Sequence, residues 1–178
     1  GEIYGRFGTR SHRTEWLGDV SLEGLAYALK AALRTHAEYP GNKAQLAAQR
    51  GPKPEFATPE KFPGLKEKYT AALNYDGNVV QSCIHCHQIG DARRDLWRAN
   101  GAPMPDEVLF PYPHPKSIGI TLDPQGGGTV NEVESDSPAA AAGLRADDVI
   151  KRLNGLPIHS LADFQWVLHN ASPQGASL

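Results

Sequence analysis

Proline and glycine set the strongest limit on what this chain can fold into. Ten of its fourteen prolines and nine of its eighteen glycines lie between residues 51 and 128. A ring-locked φ and a missing N–H keep helices and central strands out of such runs. Gly51-Pro52-Lys53-Pro54 and Thr58-Pro59 therefore read as a proline-rich linker over residues 42–58, leaving three blocks, 1–41, 59–115 and 116–178. Each block is small for a self-sufficient core, so the 178 residues, 40% of them hydrophobic, are expected to form one or two small domains or three that lean on each other. A net charge of -2, with both signs interspersed, argues against a nucleic-acid surface. No apolar run approaches the ~20 residues that cross a bilayer, so no transmembrane span is expected. Gly1-Glu2-Ile3 starts in what reads as a strand and Gly175-Ala176-Ser177-Leu178 stops where another would begin, and no signal peptide is seen, so the expectation is a mature or trimmed form.

The first block pairs a strand-like stretch, Ile3 to Phe7, with an amphipathic helix. Leu22, Leu25, Ala26, Leu29, Ala32 and Leu33 recur at helical spacing behind Ser21, a residue that can accept from free first-turn amides. Glu23 near the start and Lys30, Arg34 and His36 toward the end suit the helix dipole, and Pro40-Gly41 ends the run. In the second block a short helix is predicted over Gly64 to Asn74, with Leu65, Tyr69, Ala72 and Leu73 on one face. A turn at Asp76-Gly77 and a second helix from about Ala92 to Asn100 follow, the latter carrying Leu96 and Trp97 and ending at Gly101. The fold class expected is α+β, with the helical content concentrated in 59–115 and the strands after it.

The densest chemistry sits at Cys83-Ile84-His85-Cys86-His87. Two thiols separated by two residues can each bond to an edge of one porphyrin, and the imidazole that follows falls beneath the ring as a ligand to iron. Both cysteines of the chain are used here. Zinc needs four ligands, and no second C-x-x-C or H-x(3-5)-H pair is present to complete the set. A redox dithiol needs no histidine after it and normally opens a helix behind a strand, whereas a turn at residues 74–78 precedes this motif. The motif resembles that of c-type cytochromes, and the cofactor expected is covalent haem c, with Cys83, Cys86 and His87 binding it and His87 on the iron. Such a group would also supply apolar surface that a segment this small lacks. The second axial position stays open. Met104, framed by Pro103 and Pro105, stands ahead of His114, framed by Pro113 and Pro115, and methionine would raise the potential relative to histidine. An open site, or a remote histidine such as His85, His36 or His12, completes the alternatives.

From Ser117 onward the chain resembles a PDZ domain of the type found in periplasmic proteases of the HtrA class. Ser117-Ile118-Gly119-Ile120 is similar to the carboxylate-binding loop, and Thr121-Leu122 to the strand that receives a peptide. Thr129 to Val133 reads as a strand, Asp136 to Leu144 as the S-P-A-x-x-A-G-L turn and short helix, and Arg145 to Gly155 as the G-D-x-I-x-x-[IV]-N-G strand and hairpin, with Ala146 where the family usually has glycine. The resemblance implies a partly open β-barrel with two helices. It also implies peptide binding by β-augmentation at Ser117, Ile118, Gly119 and Ile120, with Phe164, Val167 and Leu168 of a helix from Ser160 to His169 as the opposite wall. The family's further closing strands are not supplied before Leu178. No G-[DN]-S-[GA]-G nucleophile segment occurs, so a protease is not expected. Residues 1–41 resemble the closing strand and last helix of a thioredoxin-like fold, a strand-helix remnant. The whole order resembles bacterial proteins that combine thioredoxin-like and PDZ modules.

The expected function is an extracytoplasmic c-type haem protein, electron carrier or redox subunit, docked through the PDZ-like module to a larger assembly that is membrane-associated or periplasmic. Its partners would be a redox protein and a protein offering a C-terminal tail or edge strand. The alternative is a non-enzymatic scaffold whose C-x-x-C-H binds zinc or nothing.

Overall fold

The computed structural model describes residues 1–9, 16–66, 72, 75–77, 79 and 83–172. They fall into two compact units, residues 1–51 with residues 112–178, and residues 52–111. The architecture is α+β.

In the first unit β1 (Ile120–Leu122) and β2 (Val130–Val133) run antiparallel, Ile120 facing Val133, with a shift of register between Thr121 and Leu122. Ile120 and Leu122 are buried on one face of β1 while Thr121 is half-buried, the period of two that a one-sided strand requires. β3 (Arg152–Leu153) and β4 (Leu156–Pro157) form a second ladder, joined by Asn154-Gly155 with φ of 49° and 75°. Two consecutive left-handed residues are what a tight hairpin turn demands, and Asn-Gly adopts them at low cost. An isolated bridge links Thr129 to Val149. Among the described residues these short ladders do not close, so in place of the expected partly open barrel there are two two-stranded sheets.

Two capped helices cover the sheets. α6 (Pro138–Ala141) starts at Ser137, whose hydroxyl accepts from Ala140 N–H (3.1 Å), with Pro138 in the first turn where its missing donor costs nothing. α7 (Leu161–Asn170) starts at Ser160, which accepts from Asp163 N–H (3.4 Å). Leu161, Phe164 and Val167 point inward from α7 and join Ile120, Leu122, Val130, Ala139, Ile150, Leu153 and Ile158 in one core. Burying a residue such as Phe164 contributes roughly 2 to 3 kcal/mol, so this cluster dominates the unit.

The N-terminal residues belong to the same unit. Ile3 to Phe7 is extended but forms no ladder, which corrects the strand expected there. Its backbone is satisfied by side chains of α7 instead: Arg6 N–H donates to Asp163 Oδ1 (3.0 Å) and the Ser160 hydroxyl donates to Arg6 C=O (2.6 Å). The Arg6 guanidinium lies 4.1 Å above the Trp166 ring. After the short α1 (Trp16–Asp19) comes α2 (Leu22–Ala37), and α3 (Lys43–Ala47) follows it. Ser21 caps α2 as expected, accepting from Gly24 N–H (2.9 Å), and the same hydroxyl donates to Pro124 C=O (3.0 Å).

Much of the apolar stripe of α2 faces outward, with Leu25 and Ala32 half-buried at its side. Leu22, Leu29 and Leu33 are 81%, 57% and 70% exposed, while the buried positions are Gly24 and Ala31. The reason is steric. A Cβ on Gly24 would strike the Pro124 carbonyl, and Cβ atoms on Gly126 or Gly127 would press on the Tyr27 ring. At Gly24 the helix comes so close to the 123–128 loop that no side chain fits, while Tyr27 lies over the loop glycines, and Leu22, Leu29 and Leu33 are left on the far side.

The second unit is built on α4 (Cys86–Ala99), which packs on a 3-10 turn at Pro63–Leu65 and on α5 (Asp106–Leu109). Phe62, Leu65 and Ala92 form its small core, with Phe56, Ile84 and Ile89 against them. α4 begins at Cys86, earlier than the Ala92 start expected, because Gln88 Oε1 accepts from His85 N–H (2.6 Å) and lets the motif itself open the helix. A further 3-10 turn, Pro59–Lys61, precedes Pro63–Leu65, where the Gly64 to Asn74 helix was expected to begin. Of that segment's apolar face Tyr69 and Leu73 lie outside the described residues. Among those residues no helix is long and apolar enough to cross a membrane.

Two outcomes test this packing. Gly24→Ala gains about 1 kcal/mol of helix propensity, but the clash with the Pro124 carbonyl costs about 1 to 3 kcal/mol. A net loss in urea midpoint is expected, and a gain would contradict the close approach. Asp163 is buried, and desolvation pushes its carboxyl up to about 6, against the pull of the His159 N–H, the Arg6 charge, and the Arg6 and Ser160 N–H groups. A folded value above the unfolded 3.8 means the contribution is fully present below the unfolded value and is lost as pH rises through about 6. Relative to Asp163→Asn, the wild type should lose up to about 3 kcal/mol between pH 4 and 7; a difference that stays flat with pH would refute the assignment.

Candidate functional site

The approach to β1 is a rigid turn. Pro115 opens a 3-10 turn, Pro115–Ile118, whose cap is His114: its Nδ1 accepts from Lys116 N–H (3.2 Å) and its carbonyl from the Ser117 N–H (2.9 Å) and hydroxyl (2.7 Å). Gly119 then takes φ of 84°, a left-handed value that opposes any side chain, and a Cβ there would also fall on the Ser137 side chain. Gly119 C=O accepts from Glu134 N–H (2.9 Å) and its N–H donates to Lys116 C=O (3.1 Å). Of the loop amides expected to meet a carboxylate, that of Gly119 is thus engaged in the turn.

Beyond the loop, β1 and α7 border a cleft of about 270 Å³. Ile118, Ile120, Phe164 and Leu168 line it, and Leu144 and Leu153 join them from the α6 end and β3. Val167 does not line it: that side chain is buried in the core. Ser117 sits on the exposed rim. The side chains that line it are all apolar, a surface suited to a hydrocarbon group. Among the described residues β1 pairs only with β2, leaving its other edge without a ladder. Leu144 and Leu153 were present in the quoted motifs but read there only as fold signals, because their sequence pattern does not say that they reach the cleft.

A carboxylate loop, an edge strand and a facing helix around an apolar cleft are here in chain order, and the family model described as PDZ domain matches residues 116–176. Residues 116–176 are a PDZ domain. It is related to those of Do-type proteases. Over 71 residues, 39% of this chain and 16% of the relative, it is 37% identical to Serine protease Do-like HtrB of Bacillus subtilis (strain 168). Over 84 residues, 47% of this chain and 17% of the relative, it is 31% identical to Periplasmic pH-dependent serine endoprotease DegQ of Escherichia coli (strain K12). The chain therefore spans about a sixth of the length of these curated relatives. No solved structure matches at a significant level.

In the second unit Cys83 is half-buried and Cys86 exposed, both as free thiols, at the start of α4. His87 follows in the first turn with its side chain 73% exposed, its Nδ1 3.9 Å from Asp91 Oδ2 and its ring stacked on His85 at 5.8 Å. Ile84 anchors the motif by packing on the Phe62, Leu65 and Ala92 cluster. Two free thiols and an outward imidazole are the donor set a covalent porphyrin uses, so the residues fit that group. Among the described residues no three His, Cys, Asp or Glu side chains gather as a metal cage. Met104 is half-buried just before α5 of this unit. His114 belongs to the first unit, where its Nε2 meets Asp19 Oδ2 (3.2 Å), so both ring nitrogens are occupied.

Gly119→Ala brings left-handed strain and overlap with Ser137 together. A loss of about 2 kcal/mol or more is expected in chemical denaturation, and an unchanged midpoint would mean that the loop does not hold this conformation.

Proposed function

We propose that the chain is a docking protein whose PDZ domain grips an extended, apolar-ended protein terminus. The observation that carries this reading is the apolar cleft beside a strand edge that has no ladder among the described residues. A peptide laid along β1 satisfies the edge N–H and C=O groups, and its terminal side chain fills the space bounded by Ile118, Ile120, Phe164 and Leu168. The Ile118 and Ile120 amides are the groups a terminal carboxylate would meet, those of Ser117 and Gly119 being spent inside the turn. A labelled peptide ending in a free leucine carboxylate should bind the full chain. Amidating that carboxylate, or introducing Leu168→Glu at the half-exposed wall, should weaken binding about tenfold or more. Equal affinity for all three would sink the reading.

A second function is supported by the motif of the other unit. Cys83 and Cys86 would hold a haem covalently and His87 would ligate its iron, making the protein an electron-transfer subunit that its PDZ domain docks to a larger assembly. Bound haem supplies a one-electron couple. Met104 would be the second side chain to hold the iron, because His114 already spends one ring nitrogen on Asp19 and the other on Lys116 N–H. The protein's own part would be to fix the imidazole at a helix start, with Ile84 anchoring the motif on Phe62 and Leu65. Haem attachment of this kind and the periplasmic character named for one relative both favour a location outside the cytoplasm. Material from the native host should give a haemochrome spectrum and keep its colour after acid-acetone extraction. Met104→Ala should abolish a weak band near ~695 nm that His114→Ala leaves intact. Colourless native protein would leave only the docking role.

A further inference from the structure

Beyond the cleft and the C-x-x-C-H motif, the outward face of α2 asks for a partner. Leu22, Ala26, Leu29 and Leu33 are all exposed, and their spacings of four, three and four residues are those of a heptad seam. The opposite side of the helix is spent on the 123–128 loop through Gly24 and Tyr27, and Ala31 on that side is buried. Phe7, 39% exposed, flanks the seam across a shallow groove of about 110 Å³ bordered by Leu25, Leu29 and Ala32. A row of leucines over three turns is more apolar surface than a solvated helix face normally carries.

We propose that this face pairs with the same face of a second copy, the two α2 helices running antiparallel about a two-fold axis. Charge selects the partner and the direction. In an antiparallel pair Leu22 opposes Leu33 of the second copy and Ala26 opposes Leu29, so the seam is self-complementary, large against large at the ends and small against large at the centre. Glu23 and Lys30 hold the same heptad position, one residue after Leu22 and Leu29. Antiparallel packing sets Glu23 of each copy beside Lys30 of the other, twice by symmetry. A parallel pair would set Lys30 against Leu25 and give neither charge an opposite neighbour. The contact is short, one helix per subunit, and belongs with weak, concentration-dependent interfaces. It would present two PDZ clefts at once, which strengthens capture of a two-tailed or clustered target.

Sedimentation velocity on the full chain from about 1 to 200 μM tests this. A monomer that becomes a dimer across that range is expected. Leu29→Glu and Leu33→Glu should each stay monomeric while keeping the wild-type far-UV spectrum. Glu23→Lys should weaken the dimer at least tenfold, Lys30→Glu likewise, and Glu23→Lys combined with Lys30→Glu should restore it. A monomer throughout overturns the proposal. So does a dimer that survives Leu29→Glu, or a double charge swap that fails to recover association.

Discussion

The first turn of α7 is where the first unit is tied together. Ser160 caps the helix and, through the same hydroxyl, holds Arg6 C=O, while Asp163 receives the Arg6 and His159 N–H groups. An edge segment that forms no ladder is thus satisfied by two side chains of a helix. The charge pair adds little: Arg6 Nη1 stands 3.8 Å from Asp163 Oδ1, and desolvation outweighs it in setting the Asp163 pKa. What the site gives is direction, since a buried carboxylate with fixed donors accepts only one path for the chain that meets it. That path uses the Ser160, Asp163 and Trp166 side of the helix, and so leaves the Phe164 and Leu168 side to form the cleft wall.

Legibility from sequence followed how local the signal was. Ser21, Ser137 and Ser160 each cap the helix that follows, and Asn154-Gly155 makes the hairpin, because a cap or a two-residue turn is settled by the few atoms around it. The cleft residues Ile118, Ile120, Phe164 and Leu168 could be named because a family pattern stood behind them, yet Val167 could not be told from them: one helical step separates wall from core. Periodicity found α2 but not its orientation. A leucine stripe usually marks the buried face, and only the close approach of Gly24 to Pro124, a contact between residues far apart in sequence, turns it outward. The start of α4 was hidden for a related reason. Its apolar spacing begins late, while the cap that starts it is a single Gln88 side chain reaching His85 N–H.

The second unit shows what a small apolar cluster can and cannot do. Phe62, Leu65 and Ala92, with Phe56, Ile84 and Ile89 beside them, hold α4 to the proline-framed turn before it. Three buried side chains contribute a few kcal/mol between them, less than the ordering of several tens of residues costs. Ile84 is the one motif residue spent on that cluster. Cys86 and the His87 imidazole stay exposed beside it, and Cys83 is half-buried.

The surfaces that matter are separated by helix geometry. α7 gives one side to the N-terminal segment and another to the cleft, and α2 gives small residues to the loop and leucines to the outside. Residues three and four apart share a face and residues two apart do not, so neighbours such as Asp163 and Phe164 serve different partners without competing. Filling the cleft leaves the Arg6 to Asp163 contact intact, and covering Leu22, Leu29 and Leu33 leaves Gly24 against Pro124. The cleft and the outward leucines therefore lie on helix faces that share no residue.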